Sequence, residues 1–255
     1  MGASDELSGG SCLIAVPGET EPLDCHVVRH PHDASAPWVI VCMELFGVND
    51  HIRDVCSRLA AQGYHVIAPN FYHRTLPGAS LPFGEAGRGE GFRHLNQLTR
   101  AQALADAEAV VNWIHEQPLA CVRIGVLGFS VGGHIAFLAA ACLDIAACAC
   151  FYAGWLLGSE IALSQPEPTI TLAPRMAERR AALVYFVGGR DHVISPRDTD
   201  QLGRALEAAH VRHELIVFAQ AQHGFFCELR ETFDEGARDA SWKQVLELFG
   251  VELRG

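Results

Sequence analysis

Residues 126–133 read Val-Leu-Gly-Phe-Ser-Val-Gly-Gly, and Gly128-Phe129-Ser130-Val131-Gly132 within them fits the pattern Gly-x-Ser-x-Gly. In that pattern a strand stops and turns at once into a helix, which holds the central serine in a strained conformation with its hydroxyl presented as a nucleophile. The glycines follow from the geometry. A side chain at 128 or 132 would collide where strand and helix cross, and Gly133 lets the new helix pack closely on the sheet. Five residues with three fixed positions are a weak signal alone, but the flanks strengthen it. Upstream, residues 122–127 (Val-Arg-Ile-Gly-Val-Leu) form an apolar, β-branched run suited to a buried parallel strand. Downstream, residues 134–142 are alanine-rich and apolar, as a buried helix should be.

Strand and helix patterns alternate along the rest of the chain, which predicts an α/β fold: a mostly parallel central sheet with helices on both faces. Trp38-Val39-Ile40-Val41-Cys42-Met43 reads as an early strand, and residues 182–187 and 213–218 as late ones. Asn49 or Asp50 caps a first helix whose apolar stripe is Ile52, Val55, Cys56 and Leu59 and whose stop is Gly63. Leu104, Ala107, Val111 and Ile114 mark a helix ending before Pro118. Ser195 caps another, with Pro196 at its first position and Asp198 in its first turn. At 255 residues and 49% hydrophobic, the chain can bury a substantial core. One domain over residues 1–255 is expected, with residues 1–10 a flexible N-terminus. Residues 76–91 and 158–174, rich in glycine or proline, read as irregular loops near the C-terminal edge of the sheet. They are either walls of a pocket or solvated excursions.

A serine hydroxyl is a poor nucleophile at neutral pH, so the elbow requires a general base and a group that orients it. Where such an elbow occurs, the acid and then the histidine follow in chain order, each after its own strand. The strand at 182–187 runs into Gly188-Gly189-Arg190-Asp191-His192, making Asp191 the acid candidate, although an aspartate there can also be a plain turn former. The strand at 213–218 leads through Ala219-Gln220-Ala221-Gln222 to His223-Gly224-Phe225. His223 is therefore the base candidate among thirteen histidines.

The early strand runs directly into Glu44-Leu45-Phe46-Gly47. A carboxylate there is costly to bury without a partner, so Glu44 either surfaces in a loop or is held for a purpose. The same position, after an early strand, is where such folds place one backbone N–H of an oxyanion hole. Leu45 would supply that N–H, and Val131, following the nucleophile, the other.

Glu44-Leu45-Phe46-Gly47-Val48-Asn49-Asp50-His51-Ile52-Arg53-Asp54 and Gly63-Tyr64-His65-Val66-Ile67-Ala68-Pro69-Asn70-Phe71-Tyr72-His73-Arg74 resemble the dienelactone hydrolase family. The similarity runs from roughly residue 20 to the C-terminus and includes the spacing of Ser130, Asp191 and His223. The resemblance implies an α/β-hydrolase fold and a nucleophile–aspartate–histidine triad acting on a small ester or lactone. In the name-giving members the nucleophile is cysteine, whose thiol can be stored and then released as thiolate because its pKa is about 8.5. Serine cannot be stored that way, so Ser130 would hand its proton to His223 during attack. The glutamate matching Glu44 helps switch on the family's nucleophile. With serine present, Glu44 could instead orient substrate or water, or accept a hydrogen bond from Ser130. The family also binds an anionic lactone through arginines, one of them four residues after the triad histidine. That position is Cys227 here, and Arg230, Arg88, Arg93 and Arg100 are the unmatched alternatives. A non-catalytic ligand-binding relative and an acyltransferase remain as alternative readings.

The formal net charge of -11 argues against non-specific attraction to nucleic acid or an anionic membrane. No stretch approaches the roughly 18 apolar residues of a membrane helix, and residues 1–10 carry no signal-peptide pattern. A cytoplasmic protein is expected, with a small-molecule substrate, no nucleic-acid or membrane partner, and a monomeric or small homo-oligomeric state. The nine cysteines form no regular framework and read as buried free thiols. Cys148 and Cys150 share a strand face near Cys142 but lack a histidine or carboxylate at ligand spacing, so no metal is expected. No cofactor is expected either. His26, His30 and His32 read as surface residues.

Overall fold

The structure, a computed structural model, describes residues 9–118 and 123–255. Eight strands form one sheet: β1 (Gly9–Ile14), β2 (Leu23–Val28), β3 (Trp38–Cys42), β4 (His65–Pro69), β5 (Ile124–Phe129), β6 (Ala147–Phe151), β7 (Ala182–Gly188) and β8 (Arg212–Phe218). Their spatial order is β1-β2-β4-β3-β5-β6-β7-β8, antiparallel at β1–β2 and β2–β4 and parallel throughout the rest. Every residue of β3, β4, β5, β6 and β7 is buried. Because successive side chains point to opposite faces, this requires cover on both sides of the sheet. The cover comes from α1 (Asp50–Ala61), α3 (Arg100–His115), α4 (Val131–Cys142), α6 (Pro196–Ala208) and α7 (Glu235–Arg254), with α2 (Glu85–Leu95) and the short α5 (Ala173–Glu178) beyond the strand ends. This is the expected α/β-hydrolase architecture.

The chain runs from β3 outward to β4, then returns past β3 to β5. The order therefore reverses between β3 and β5, and such a switch point leaves a crevice at the carboxyl ends of the strands. Glu44 and Leu45 follow β3, and Ser130 follows β5. Topology alone brings these segments to one place.

The expected caps form. Asn49 Oδ1 accepts from Ile52 N–H at 3.3 Å, and Ser195 with Asp198 makes a reciprocal capping box before Pro196. Thr99 and Gln102 form a second box, a Thr-x-x-Gln signature present in the sequence but not used in its reading. Two expectations are corrected. Residues 76–91 are not wholly irregular, because α2 begins at Glu85 and passes through Gly87, Gly89 and Gly91. A Cβ on Gly87 would stand 1.8 Å from Pro82 O, and one on Gly91 would stand 2.5 Å from Leu45 O. Glycine here shapes a close-packed helix face, not a loop. Within residues 158–174, two short 3-10 turns (Ala162–Ser164 and Thr169–Leu172) lead into α5. Residues 1–8 of the expected flexible N-terminus and Val122 of the expected fifth strand lie outside the described residues. Gly9 and Gly10 already pair with Val28 and Val27 in β1. No helix among the described residues is long and apolar enough to cross a membrane.

A second buried element ties the loop after β4 to α3. Asp106, fully buried, accepts two hydrogen bonds from the Arg74 guanidinium at 2.8 and 2.7 Å and faces His73 Nε2 at 3.2 Å. Arg74 also meets Glu19 at 2.8 Å, so the β1–β2 connection, the β4 loop and α3 share one ion network.

Candidate active site

The chain turns from β5 into α4 at Ser130 with φ 54° and ψ −116°. A residue with a Cβ rarely occupies that conformation, and holding it costs about 1–3 kcal/mol that the surroundings must supply. The surroundings are backbone. A Cβ on Gly128 would lie 2.0 Å from Gly132 O, and one on Gly132 would lie 2.2 Å from Cys42 O. Only glycine lets β5, α4 and the end of β3 approach this closely. Ser130 N–H donates to Phe151 O at 2.9 Å, which fixes the elbow to β6.

Ser130 Oγ lies 3.0 Å from His223 Nε2, and His223 Nδ1 lies 2.9 Å from Asp191 Oδ2. The carboxylate favours the tautomer in which Nδ1–H donates to it, leaving Nε2 as the acceptor for the serine hydroxyl. Asp191 is itself anchored, because Oδ1 accepts from the N–H groups of Val193 at 2.7 Å and Ile194 at 3.1 Å. All three side chains are buried. The structure thus brings the three residues read from the sequence into one hydrogen-bonded chain. So arranged, a hydroxyl can pass its proton to the imidazole as it attacks a carbonyl.

Ser130 and His223 open into a cavity of about 100 Å³, whose wall includes Glu44, Leu45, Val131, Trp155 and Arg230. Leu45 lies in the segment just beyond β3 and Val131 is the first residue of α4, and both line the cavity. Glu44 is buried, not surfacing in a loop. Its Oε1 accepts from the Tyr152 hydroxyl at 3.1 Å and faces Arg230 Nη1 at 3.8 Å, whereas buried Oε2 has no hydrogen-bond partner among the described residues. Burial, reinforced by the Glu44 charge, pushes the Tyr152 phenol well above its ordinary pKa. It therefore stays protonated and serves as donor.

Tyr152 was missed from the sequence. It follows the last residue of β6 as Ser130 follows β5, and adopts φ 39°. Position at a central strand's carboxyl end was the signal that could have found it. Of the unmatched arginines, Arg230 and Arg88 line the cavity. Arg93 instead pairs with Glu90, and Arg100 is held by Leu163 O and Thr169. Cys227 is buried, with its thiol pushed up to about 12 by burial and by Glu44, so it is a neutral neighbour of the site. Cys148 and Cys150 face each other at 3.5 Å in the core, and the eight cysteines among the described residues are free thiols. Among the described residues no group of three or more His, Cys, Asp or Glu side chains is arranged to hold a metal ion.

Fold and site together define an α/β-hydrolase. The model of the dienelactone hydrolase family matches residues 25–253; the chain belongs to that family and is a hydrolase of the carboxylic-ester class. A protein of Synechocystis sp. named as a candidate carboxymethylenebutenolidase is 32% identical over 247 residues, covering 95% of this chain and 97% of its own. The carboxymethylenebutenolidase of Pseudomonas putida is 28% identical over 200 residues, 78% of this chain and 79% of its own. A crystal structure from Klebsiella pneumoniae subsp. pneumoniae described as a candidate dienelactone hydrolase superposes with a TM-score of 0.80 at 28% identity, covering 95% of this chain and 99% of that one.

Proposed function

We propose that this protein is a serine hydrolase that cleaves a small ester or lactone through an acyl-enzyme on Ser130. The observation that carries the reading is the chain from Ser130 Oγ to His223 at 3.0 Å and from His223 to Asp191 at 2.9 Å, starting from a strained elbow. Ser130 Oγ attacks the carbonyl carbon while His223 Nε2 takes its proton. The carbonyl π pair moves to oxygen, where the N–H groups of Leu45 and Val131 stabilise the developing charge. Collapse expels the alkoxide, which receives the proton from His223, and water activated by the same imidazole then releases the acid. Asp191 holds the imidazole in register and stabilises its cation. Glu44, held in place by Tyr152 and Arg230, orients groups beside the reacting centre. The names borne by the relatives support an ester or lactone as the substrate class.

A fluorophosphonate probe followed by intact-mass measurement tests the reading. A single adduct on the wild-type chain that vanishes in Ser130→Ala is expected. Absence of an adduct, or equal labelling of the variant, would overturn it.

A further inference from the structure

The cavity over Ser130 does not end at its own walls. Phe46, Arg88, Phe92 and Arg230 line it and also line an adjoining groove of about 910 Å³. Beyond those shared residues the groove continues over Phe83, which precedes α2, and Leu229, on the loop that follows His223. Phe83 packs edge-on to Phe46, with ring centroids 4.8 Å apart, so an aromatic surface runs from the mouth of the cavity outward. Leu229 is 62% exposed. A lone exposed leucine means little, but one facing aromatic rings in a groove marks a surface that something covers.

Charge narrows what covers it. In the groove Arg88 and Arg230 are matched by Glu85 and Glu231, giving no net formal charge. An anion gains little from such a lining, whereas a flat neutral ring packs on phenylalanine faces and under guanidinium planes. Size points the same way. The cavity at Ser130, about 100 Å³, is far smaller than the adjoining groove of about 910 Å³, which is where there is room for a ring.

We propose that the groove binds a neutral aromatic half of the substrate, a phenyl- or naphthyl-sized ring joined to the carbonyl presented to Ser130. This rests on the hydrolase reading above and adds the class of substrate. Phe83 and Leu229 contact the ring, not the reacting atoms, and so determine specificity without taking part in the chemistry.

The test compares 2-naphthyl acetate with ethyl acetate, which share an acyl group, in the wild type, Phe83→Ala and Leu229→Ser, together with fluorescence titration of 2-naphthol. In both variants kcat/KM for 2-naphthyl acetate is expected to fall about fivefold or more, chiefly through KM, the scale of uncovering part of an aromatic ring. Ethyl acetate should stay within about twofold, and 2-naphthol should bind the variants correspondingly more weakly. Turnover of both esters with equal or no loss in the variants overturns the groove and leaves the hydrolase reading standing. Absence of turnover with 2-naphthol binding that weakens in the variants supports the groove and sinks the hydrolase reading. Neither turnover nor binding overturns both.

Discussion

Replacing Asp191 with asparagine separates the two tasks this side chain performs. Oδ1 accepts two backbone hydrogen bonds, from Val193 and Ile194, and Oδ2 accepts from His223. Asparagine keeps an oxygen for the loop and presents an NH2 to His223. That amide donates to Nδ1, so the imidazole proton moves to Nε2 and points at Ser130 Oγ. The base can then no longer accept the serine proton. Loss of the correct tautomer in a serine triad lowers kcat on the order of 10⁴-fold, equivalent to about 5 kcal/mol of transition-state stabilisation. The loop contacts survive, so the melting temperature should change little. Asp191→Ala removes both functions: activity falls as far, and loss of two hydrogen bonds to buried or half-buried N–H groups costs about 1–3 kcal/mol in stability. Steady-state hydrolysis of phenyl acetate, with urea unfolding of the same samples, reads both quantities. A folded Asp191→Asn protein within about tenfold of wild-type kcat/KM would refute the assignment of Asp191 as the orienting acid.

Tyr152→Phe removes the one hydroxyl donated to Glu44, leaving a buried carboxylate facing only Arg230 at 3.8 Å; a loss of about 1–3 kcal/mol in urea unfolding is expected. Asp106→Asn leaves Arg74 without its buried counter-charge and should cost about 3–5 kcal/mol, measured the same way. His134 is fully buried between Gly154 O at 3.0 Å and Thr169 Oγ1 at 2.8 Å, and burial, aided by the Arg100 charge, lowers its pKa to about 4. The unfolded chain, with His near 6.5, binds the proton first as pH falls. Stability from this residue is therefore complete above about 6.5, declines below that and is gone below about 4, a span of about 3 kcal/mol. Urea midpoints across this range should show the slope, and His134→Gln should flatten it.

The parts of the site legible in the sequence were those written in local pattern. The elbow, the strands before Asp191 and His223, and the Asn49 and Ser195 caps each need only a few neighbouring residues to specify them. Gly87 and Gly91 misled because glycine lowers helix propensity, whereas in α2 the decisive term is their close contact with Pro82 and Leu45, which composition does not reveal. Tyr152 carried no motif, and its role exists only because β6 ends beside β5, one strand away from β3 and the Glu44 segment that follows it. Arg230 could not be chosen over Cys227 by spacing, since the turns after His223 decide which side chain reaches Glu44. The pairing of Asp106 with Arg74 and His73, about thirty residues apart, likewise follows from packing and leaves no local trace.

The backbone at position 130 has a further meaning for how such a chain would drift. Glycine occupies φ 54°, ψ −116° far more cheaply than serine, so a substitution that removes the hydroxyl can also relieve the fold. A lineage freed from the need for this chemistry would have a downhill route at that site. Random change would favour a quieter, more robust protein with an empty elbow. Keeping a hydroxyl there works against that gradient, which makes position 130 a gauge of whether the activity is still under selection.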